Sequence, residues 1–356
     1  MNISIGIVGL PNAGKSTLFN ALLRKQQAEA ANYPFCTIEP NTGIVPVPDE
    51  RLEILAGIVK TNKIVHALIE FVDIAGLVKD AHKGEGLGNK FLAHIRETSA
   101  ICYVLRFFED ENVIHVQNRV DPMGDLAILN EELIFADLQT LENQKEPKQN
   151  SDKSDKLRYE LVQNIKRHLN DAKPLRDVNL SEEELSLLKS LNLLTLKPVL
   201  YVANMSEEQL QQSREVVLKD FPHKPVVCLS AKLESELIDA TPEDRAELLK
   251  SVGVEHSALD QLAKGGYDAL NLLSFLTAGE IEARAWTIRK GETAQQAAGV
   301  IHTDFFSKFI KADIVKYEDF IASGGWVNAR QKGLVRSEGK EYIMQDGEVV
   351  EFKIGG

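Results

Sequence analysis

Gly9-Leu10-Pro11-Asn12-Ala13-Gly14-Lys15-Ser16 fits the pattern GxxxxGK[ST] in full, between an apolar β-branched run and a helical one. Its glycines let the backbone curl so that N–H groups and the helix N-terminus face an anion. Lys15 would then reach the β- and γ-phosphates of a nucleoside triphosphate, Ser16 would ligate Mg²⁺ and Thr17 would lie near the α-phosphate. Further on, Phe71-Val72-Asp73-Ile74-Ala75-Gly76 ends a second apolar run in DxxG. After a phosphate loop this has a clear use: Asp73 holds Mg²⁺ through water and the Gly76 N–H senses the γ-phosphate. Thr37, in Tyr33-Pro34-Phe35-Cys36-Thr37, is placed to close over the metal from the other side.

The position after DxxG decides how water would be handled. A Ras-like GTPase carries a water-orienting Gln there, whereas this chain has Leu77. Leucine cannot orient water, so either the intrinsic rate is slow or another group enters. His115, in the polar stretch after the run Ala100 to Phe107, is one candidate for a catalytic role. The run Lys83-Gly84-Glu85-Gly86-Leu87-Gly88 suits a mobile switch, because glycine takes large φ/ψ changes cheaply.

Base recognition is expected from Asn204-Met205-Ser206-Glu207, at the end of the apolar run Pro198 to Ala203. A guanine site has Asn-Lys-x-Asp here, its carboxylate accepting from N1–H and the 2-amino group. Met205 replaces the Lys and Glu207 the Asp, so the acceptor is displaced, which commonly costs ~1–3 kcal/mol. Guanine should bind less well and adenine, lacking the 2-amino group, is accommodated. Ser230-Ala231-Lys232, after Pro225 to Leu229, completes a base-side loop.

These residues need a scaffold. The β-rich runs Ile3 to Val8, Ala67 to Val72, Ala100 to Phe107, Pro198 to Ala203 and Pro225 to Leu229 are separated mostly by longer polar-apolar segments. That alternation predicts an α/β fold with a mostly parallel, doubly wound sheet. The stretch from Phe107 to Val199 far exceeds a single crossover, and helical spacing over Leu126 to Glu142 and Lys156 to Leu169 predicts an inserted helical arm. After Asn271 the texture changes to a small α+β domain. Arg284 to Ile288 reads as a strand, Thr293 and Gln296 as a capping box for the helix Ala294 to Ile301, and Asp346-Gly347 as a hairpin turn between Lys340 to Met344 and Glu348 to Phe352. The expected division is 1–126 with 190–270, an arm at 127–189, and a C-terminal domain at 271–356.

The 356 residues carry a formal net charge of −12, nearly all before Asn271. That argues against broad nucleic-acid or membrane binding, although Lys145 to Arg176 is locally basic. No run approaches a membrane span and the N-terminus lacks a secretory pattern, so a cytoplasmic location is expected. Three widely spaced cysteines argue against a disulfide framework or a zinc ribbon.

Taken in order, these motifs resemble the Obg superfamily of translation-factor-class P-loop GTPases. Asn32 to Asn41, Asp73 to Lys79, Gly84 to Asn89 and Ile301-His302-Thr303-Asp304-Phe305 narrow the likeness to the YchF/Obg-like ATPase family over nearly the whole chain. The resemblance implies a P-loop domain with an inserted coiled-coil arm, a C-terminal ubiquitin-like β-grasp (TGS) domain and a preference for ATP over GTP. It further implies ribosome association, with the 50S subunit as expected partner and tRNA or rRNA as further candidates; neither DNA nor membrane is expected, and the chain should be a monomer. By the same analogy ATP contacts Asn12, Ala13, Gly14, Lys15, Ser16, Thr17 and Met205, and Mg²⁺ sits on Ser16 and Thr37. Asp80 departs from the glycine expected in the family's switch, adding charge and stiffness near the γ-phosphate. Two alternatives stay open: a nucleotide-controlled binding protein in which hydrolysis is incidental, and an ordinary Obg-type GTPase.

Overall fold

The computed structural model describes residues 3–29, 41–74, 87–109, 120–148, 150, 152–254 and 257–355. In chain order the elements are β1 (Ser4–Val8), α1 (Lys15–Glu29), β2 (Thr42–Pro46), α2 (Arg51–Val59), β3 (Ile64–Val65), β4 (Leu68–Asp73), α3 (Leu87–Glu97), β5 (Ala100–Arg106), α4 (Pro122–Glu142) and α5 (Lys153–Asn170). Then come α6 (Glu182–Leu188), β6 (Val199–Asn204), α7 (Glu207–Asp220), β7 (Val226–Leu229), α8 (Ala231–Leu237), α9 (Pro242–Ser251) and α10 (Ala258–Ala269). The C-terminal part adds β8 (Leu272–Ala278), β9 (Ala283–Arg289), α11 (Ala294–Ile301), α12 (Thr303–Ser307), β10 (Phe309–Val315), α13 (Tyr317–Ser323), α14 (Trp326–Gln331), β11 (Arg336–Glu338) and β12 (Val349–Ile354).

The chain forms two compact units, one built from residues within Met1–Arg24, Ile38–Gly43 and Glu70–Ala258, the other from Lys25–Thr37, Ile44–Ile69 and Leu259–Gly356. The first holds a sheet of order β2-β4-β1-β5-β6-β7. Ile5 lies opposite Phe71 and Ala100, Tyr103 opposite Tyr201 and Ala203 opposite Cys228, all in parallel pairs. Every residue of β1 and β5 is buried, which is why both read as continuous apolar runs. The parallel register brings Gly9, Asp73, Asn204 and Ser230 to or just past the carboxyl ends of their strands, where open α/β sheets bind ligands.

On one face, Phe91 and Ile95 of α3 and Leu126, Leu129 and Leu133 of α4 pack against Ile101, Tyr103 and Tyr201. The amino-terminal half of α4 is therefore sheet core. From Ile134 onward its apolar side turns to Leu161, Val162 and Ile165 of α5 and Leu188 of α6, a second small core. Asp137 closes this junction, accepting hydrogen bonds from Leu194 N (2.7 Å), Thr195 N (2.8 Å) and Thr195 Oγ1 (2.6 Å).

The second unit carries a sheet of order β11-β10-β12-β8-β9-β3. β8 and β9 are antiparallel, β12 runs parallel to β8 with Val349 opposite Leu276, and β10 is antiparallel to β12. The Thr293–Gln296 capping box starts α11, whose Ala294 and Ala297 bury against Leu273, Phe275, Ile288, Ile314 and Val350.

One expectation is corrected here. Asp346-Gly347 is a turn, with Gly347 at φ 77°, but Lys340 to Met344 is not a strand and β12 pairs with β10 instead. The turn is spent on β8: Asp346 Oδ1 accepts from Ser274 N at 2.9 Å and Gly347 N donates to Ser274 O at 2.8 Å. Residues 44–69 cluster with the C-terminal unit, where β3 pairs with β9, Ile64 opposite Ala283.

Candidate nucleotide-binding site

Residues 9–14 form the loop between β1 and α1, and Lys15 is the first residue of α1. Two backbone features shape it. Asn12 (φ 65°) and Gly14 (φ 91°) both take left-handed conformations, and a Cβ on Gly14 would collide with the Asn204 amide. A Cβ on Gly9 would lie 2.7 Å from the Val104 carbonyl on β5, so this glycine is fixed by close packing. Ala13 N donates to Leu10 O at 3.3 Å and Leu18 N to Gly14 O at 3.0 Å, carrying the loop into the helix. The loop thus runs directly into the N-terminus of α1, the setting in which backbone amides bind phosphate.

Lys15 Nζ lies 3.5 Å from Asp73 Oδ1, with side-chain exposures of 10% and 25%. The loop lysine and the DxxG aspartate, far apart in sequence, thus meet where the phosphate loop opens. Ser16, exposed in the first turn of α1, supplies a hydroxyl oxygen, and Asp73 a carboxylate. Among the described residues no group of three or more His, Cys, Asp or Glu converges. A hydroxyl, a carboxylate, phosphate oxygens and water fit Mg²⁺, which keeps several waters and avoids all-protein cages. Thr37, Gly76, Leu77, Cys36 and His115 lie outside the described residues.

On the base side, Asn204 is buried and bidentate: Nδ2 donates to Ala13 O at 2.9 Å and Oδ1 accepts from Ala231 N at 3.0 Å. It joins the phosphate loop to the Ser230-Ala231-Lys232 loop. Ser230, buried, caps α8 by accepting from Leu233 N, Ala231 is buried and Lys232 is exposed. Met205 N donates to Leu229 O at 2.7 Å, while its side chain, 3% exposed, packs with Ala203, Leu210, Cys228, Leu233 and Leu237. Glu207, half-buried, begins α7 behind a capping box of Ser206 and Gln209.

Sequence reading missed two braces. Gln209 Nε2 donates to Phe107 O at 3.0 Å, tying α7 to the end of β5; the S-x-x-Q spacing was its visible signal. Arg24 of α1 donates to the Ser235 carbonyl (3.1 Å) and hydroxyl (3.2 Å) and pairs with Asp239, binding the phosphate-loop helix to α8. No local pattern announces a partner so distant in sequence.

Comparison with known proteins bears on this geometry. A model described as 50S ribosome-binding GTPase matches residues 4–136, and a C-terminal YchF-GTPase model, described as a protein of unknown function, matches 272–355. The ribosome-binding ATPase YchF of Bacillus subtilis is 48% identical over 99% of both chains. The chain belongs to the YchF family. The YchF protein of Haemophilus influenzae is 49% identical, again over 99% of each chain. A solved YchF GTPase structure from Schizosaccharomyces pombe superposes with a TM-score of 0.86 at 37% identity, covering 99% of this chain and 98% of that one. The names given to these YchF relatives divide between ATPase and GTPase, which puts the question of the base on Asn204 to Glu207.

Proposed function

We propose that the chain is an Mg²⁺-dependent, ATP-hydrolysing P-loop switch, able to bind GTP weakly, that associates with the ribosome. The observation that carries this reading is the β1–loop–α1 phosphate cradle with Lys15 held beside Asp73. In it the amides of residues 12–17 bind the phosphates, Lys15 neutralises charge on the β- and γ-oxygens, and Asn204 keeps the base-side loop in register with the cradle. Ser16, Thr37 and Asp73 would hold Mg²⁺ directly or through water, and the ion would supply positive charge to offset that of the phosphates. Gly76 is assigned to sensing the γ-phosphate and His115 to water activation, the role that Leu77 leaves vacant.

Adenine preference is supported by the Asn204-Met205-Ser206-Glu207 departure from Asn-Lys-x-Asp and by the ATPase names of the curated relatives. Ribosome binding, at the 50S subunit with tRNA or rRNA as further partners, is supported by those names and the N-terminal family description. We read the α4–α5 pair, with the segment to residue 189, as the family's coiled-coil arm. The β8–β9 hairpin, α11 and the parallel β8–β12 pair are read as a TGS β-grasp domain. No helix among the described residues is long and apolar enough to cross a membrane; we assign a cytoplasmic monomer.

Titration of the full chain with labelled ATP and GTP in Mg²⁺ tests the reading. At least tenfold preference for ATP, about 1.4 kcal/mol, is expected; equal or GTP-favouring affinities would make it an Obg-type GTPase. Leu77 favours a second reading, in which ATP occupancy controls partners and hydrolysis is incidental. A variant that holds ATP unhydrolysed yet retains full partner binding would select it.

A further inference from the structure

Residues 44–69 leave the nucleotide sheet along β2 and return along β4, whose last residue is Asp73. In between they are built into the C-terminal unit. Ala283 N donates to Lys63 O at 3.0 Å, β3 extends the C-terminal sheet at β9, and Thr61 Oγ1 donates to Ile281 O at 3.1 Å. A charged clamp fixes the other end: Arg51 donates from Nε and Nη2 to the two Asp49 oxygens at 2.7 Å each, and from Nη1 to Asp346 Oδ2 at 2.8 Å. Asp346 is itself anchored on the β8 backbone at Ser274 N (2.9 Å), and a side chain at Gly347 would collide with the Arg51 guanidinium.

We propose that residues 44–69 are the mechanical link by which occupancy of the phosphate loop reaches the C-terminal unit, with the Asp49–Arg51–Asp346 clamp fixing its far end. The proposal rests on the nucleotide reading above. Its physical content is connectivity. Asp73 faces Lys15 at one end of β4, and the segment that precedes the other end of β4 is paired with β9 through β3 and joined through Arg51 to Asp346. A ligand that draws Lys15 or Asp73 to a new position biases β4, and any strain passes through His66 and Ala67 into β3 at the edge of the C-terminal sheet. Coupling is reciprocal, so a rearrangement of the clamp must also bias nucleotide affinity.

Hydrogen exchange on the full-length protein, with and without a non-hydrolysable ATP analogue, tests the link. In the wild type, amides of α2 and β9 should change exchange rate by ~5-fold or more on analogue binding, the low end of typical couplings. In Arg51→Ala and Asp346→Asn that remote change should vanish while protection of residues 9–18 by the analogue persists. Asp346→Asn keeps an acceptor for Ser274 N, so it reads the clamp even if Arg51→Ala unfolds. An analogue that binds yet leaves α2 and β9 unchanged, or changes them equally in both variants, overturns the link alone. Failure of the wild type to bind the analogue overturns the nucleotide reading and the link together.

Discussion

Asn204 is hydrogen-bonded to Ala13, its Nδ2 donating to the phosphate-loop carbonyl at 2.9 Å while Oδ1 takes the Ala231 amide at 3.0 Å. One buried amide thereby sets the distance between the phosphate cradle and the base-side loop. Its neighbour Gly14 has no room for a Cβ, so loop and side chain are mutually fitted. Asn204→Ala leaves a buried carbonyl and a buried N–H unpaired, at ~1–3 kcal/mol each. The expected outcome is a lowered melting temperature together with ATP affinity weakened by tenfold or more; calorimetric titration alongside thermal denaturation checks both. Unchanged affinity would reduce Asn204 to a structural brace.

Lys15→Ala should separate binding from stability. The Lys15–Asp73 pair is loose at 3.5 Å and not deeply buried, so its removal should barely move the melting temperature. ATP affinity should fall ~100-fold, or ~2.7 kcal/mol, if the loop ammonium serves the β- and γ-phosphates as proposed. Fluorescence titration with Mg·ATP decides it, and a loss below threefold would contradict the assigned role.

How far the sequence anticipated this arrangement depended on the range of the interactions. The phosphate loop, the five parallel strands and the Thr293 cap were legible because each is written in a few contiguous residues, as glycine spacing, β-branched runs or capping chemistry. What escaped was non-local. The attachment of 44–69 to the C-terminal sheet depends on a two-residue strand, Ile64–Val65, too short to leave a period. The Asp346-Gly347 turn was read correctly as a turn, but its side chain and amide engage Ser274, distant in sequence, which no hairpin rule contains. The burial of the Met205 side chain beside Cys228, Leu233 and Leu237 likewise depends on residues distant in sequence.

Two thiols offer a pH test of the sheet. Burial pushes Cys102 up to about 12 and Cys228 up to about 11. A folded-state value above the unfolded one means stability is intact below the ordinary thiol range, ~8.5, and is lost as pH rises toward those values. Each thiol then costs up to ~1.4 kcal/mol per pH unit within its window. Urea midpoints should fall from pH 8 to 10, and Cys102→Ala should flatten that fall. At pH 8 a thiol reagent should modify neither residue until denaturant is added; rapid labelling of Cys102 in the native protein would contradict its burial on β5.

Base preference is best tested at Glu207 alone. Restoring the guanine pattern in full would require Met205→Lys, which places an ammonium among Ala203, Leu210, Cys228 and Leu233. A buried unpaired charge costs several kcal/mol, so that variant should lose stability before its specificity can be read. Glu207 is half-buried at the first turn of α7, and its Asp variant retains an acidic first turn for the helix dipole. Shortening the side chain draws the carboxylate back toward the position a guanine acceptor needs. Glu207→Asp should therefore shift the ratio of ATP to GTP affinity toward GTP by ~3–10-fold, with the melting temperature within a degree or two, since a tenfold change is only ~1.4 kcal/mol of base recognition. Competition titrations with both nucleotides measure the ratio directly, and an unchanged ratio in a stable Glu207→Asp protein would remove this residue from base selection.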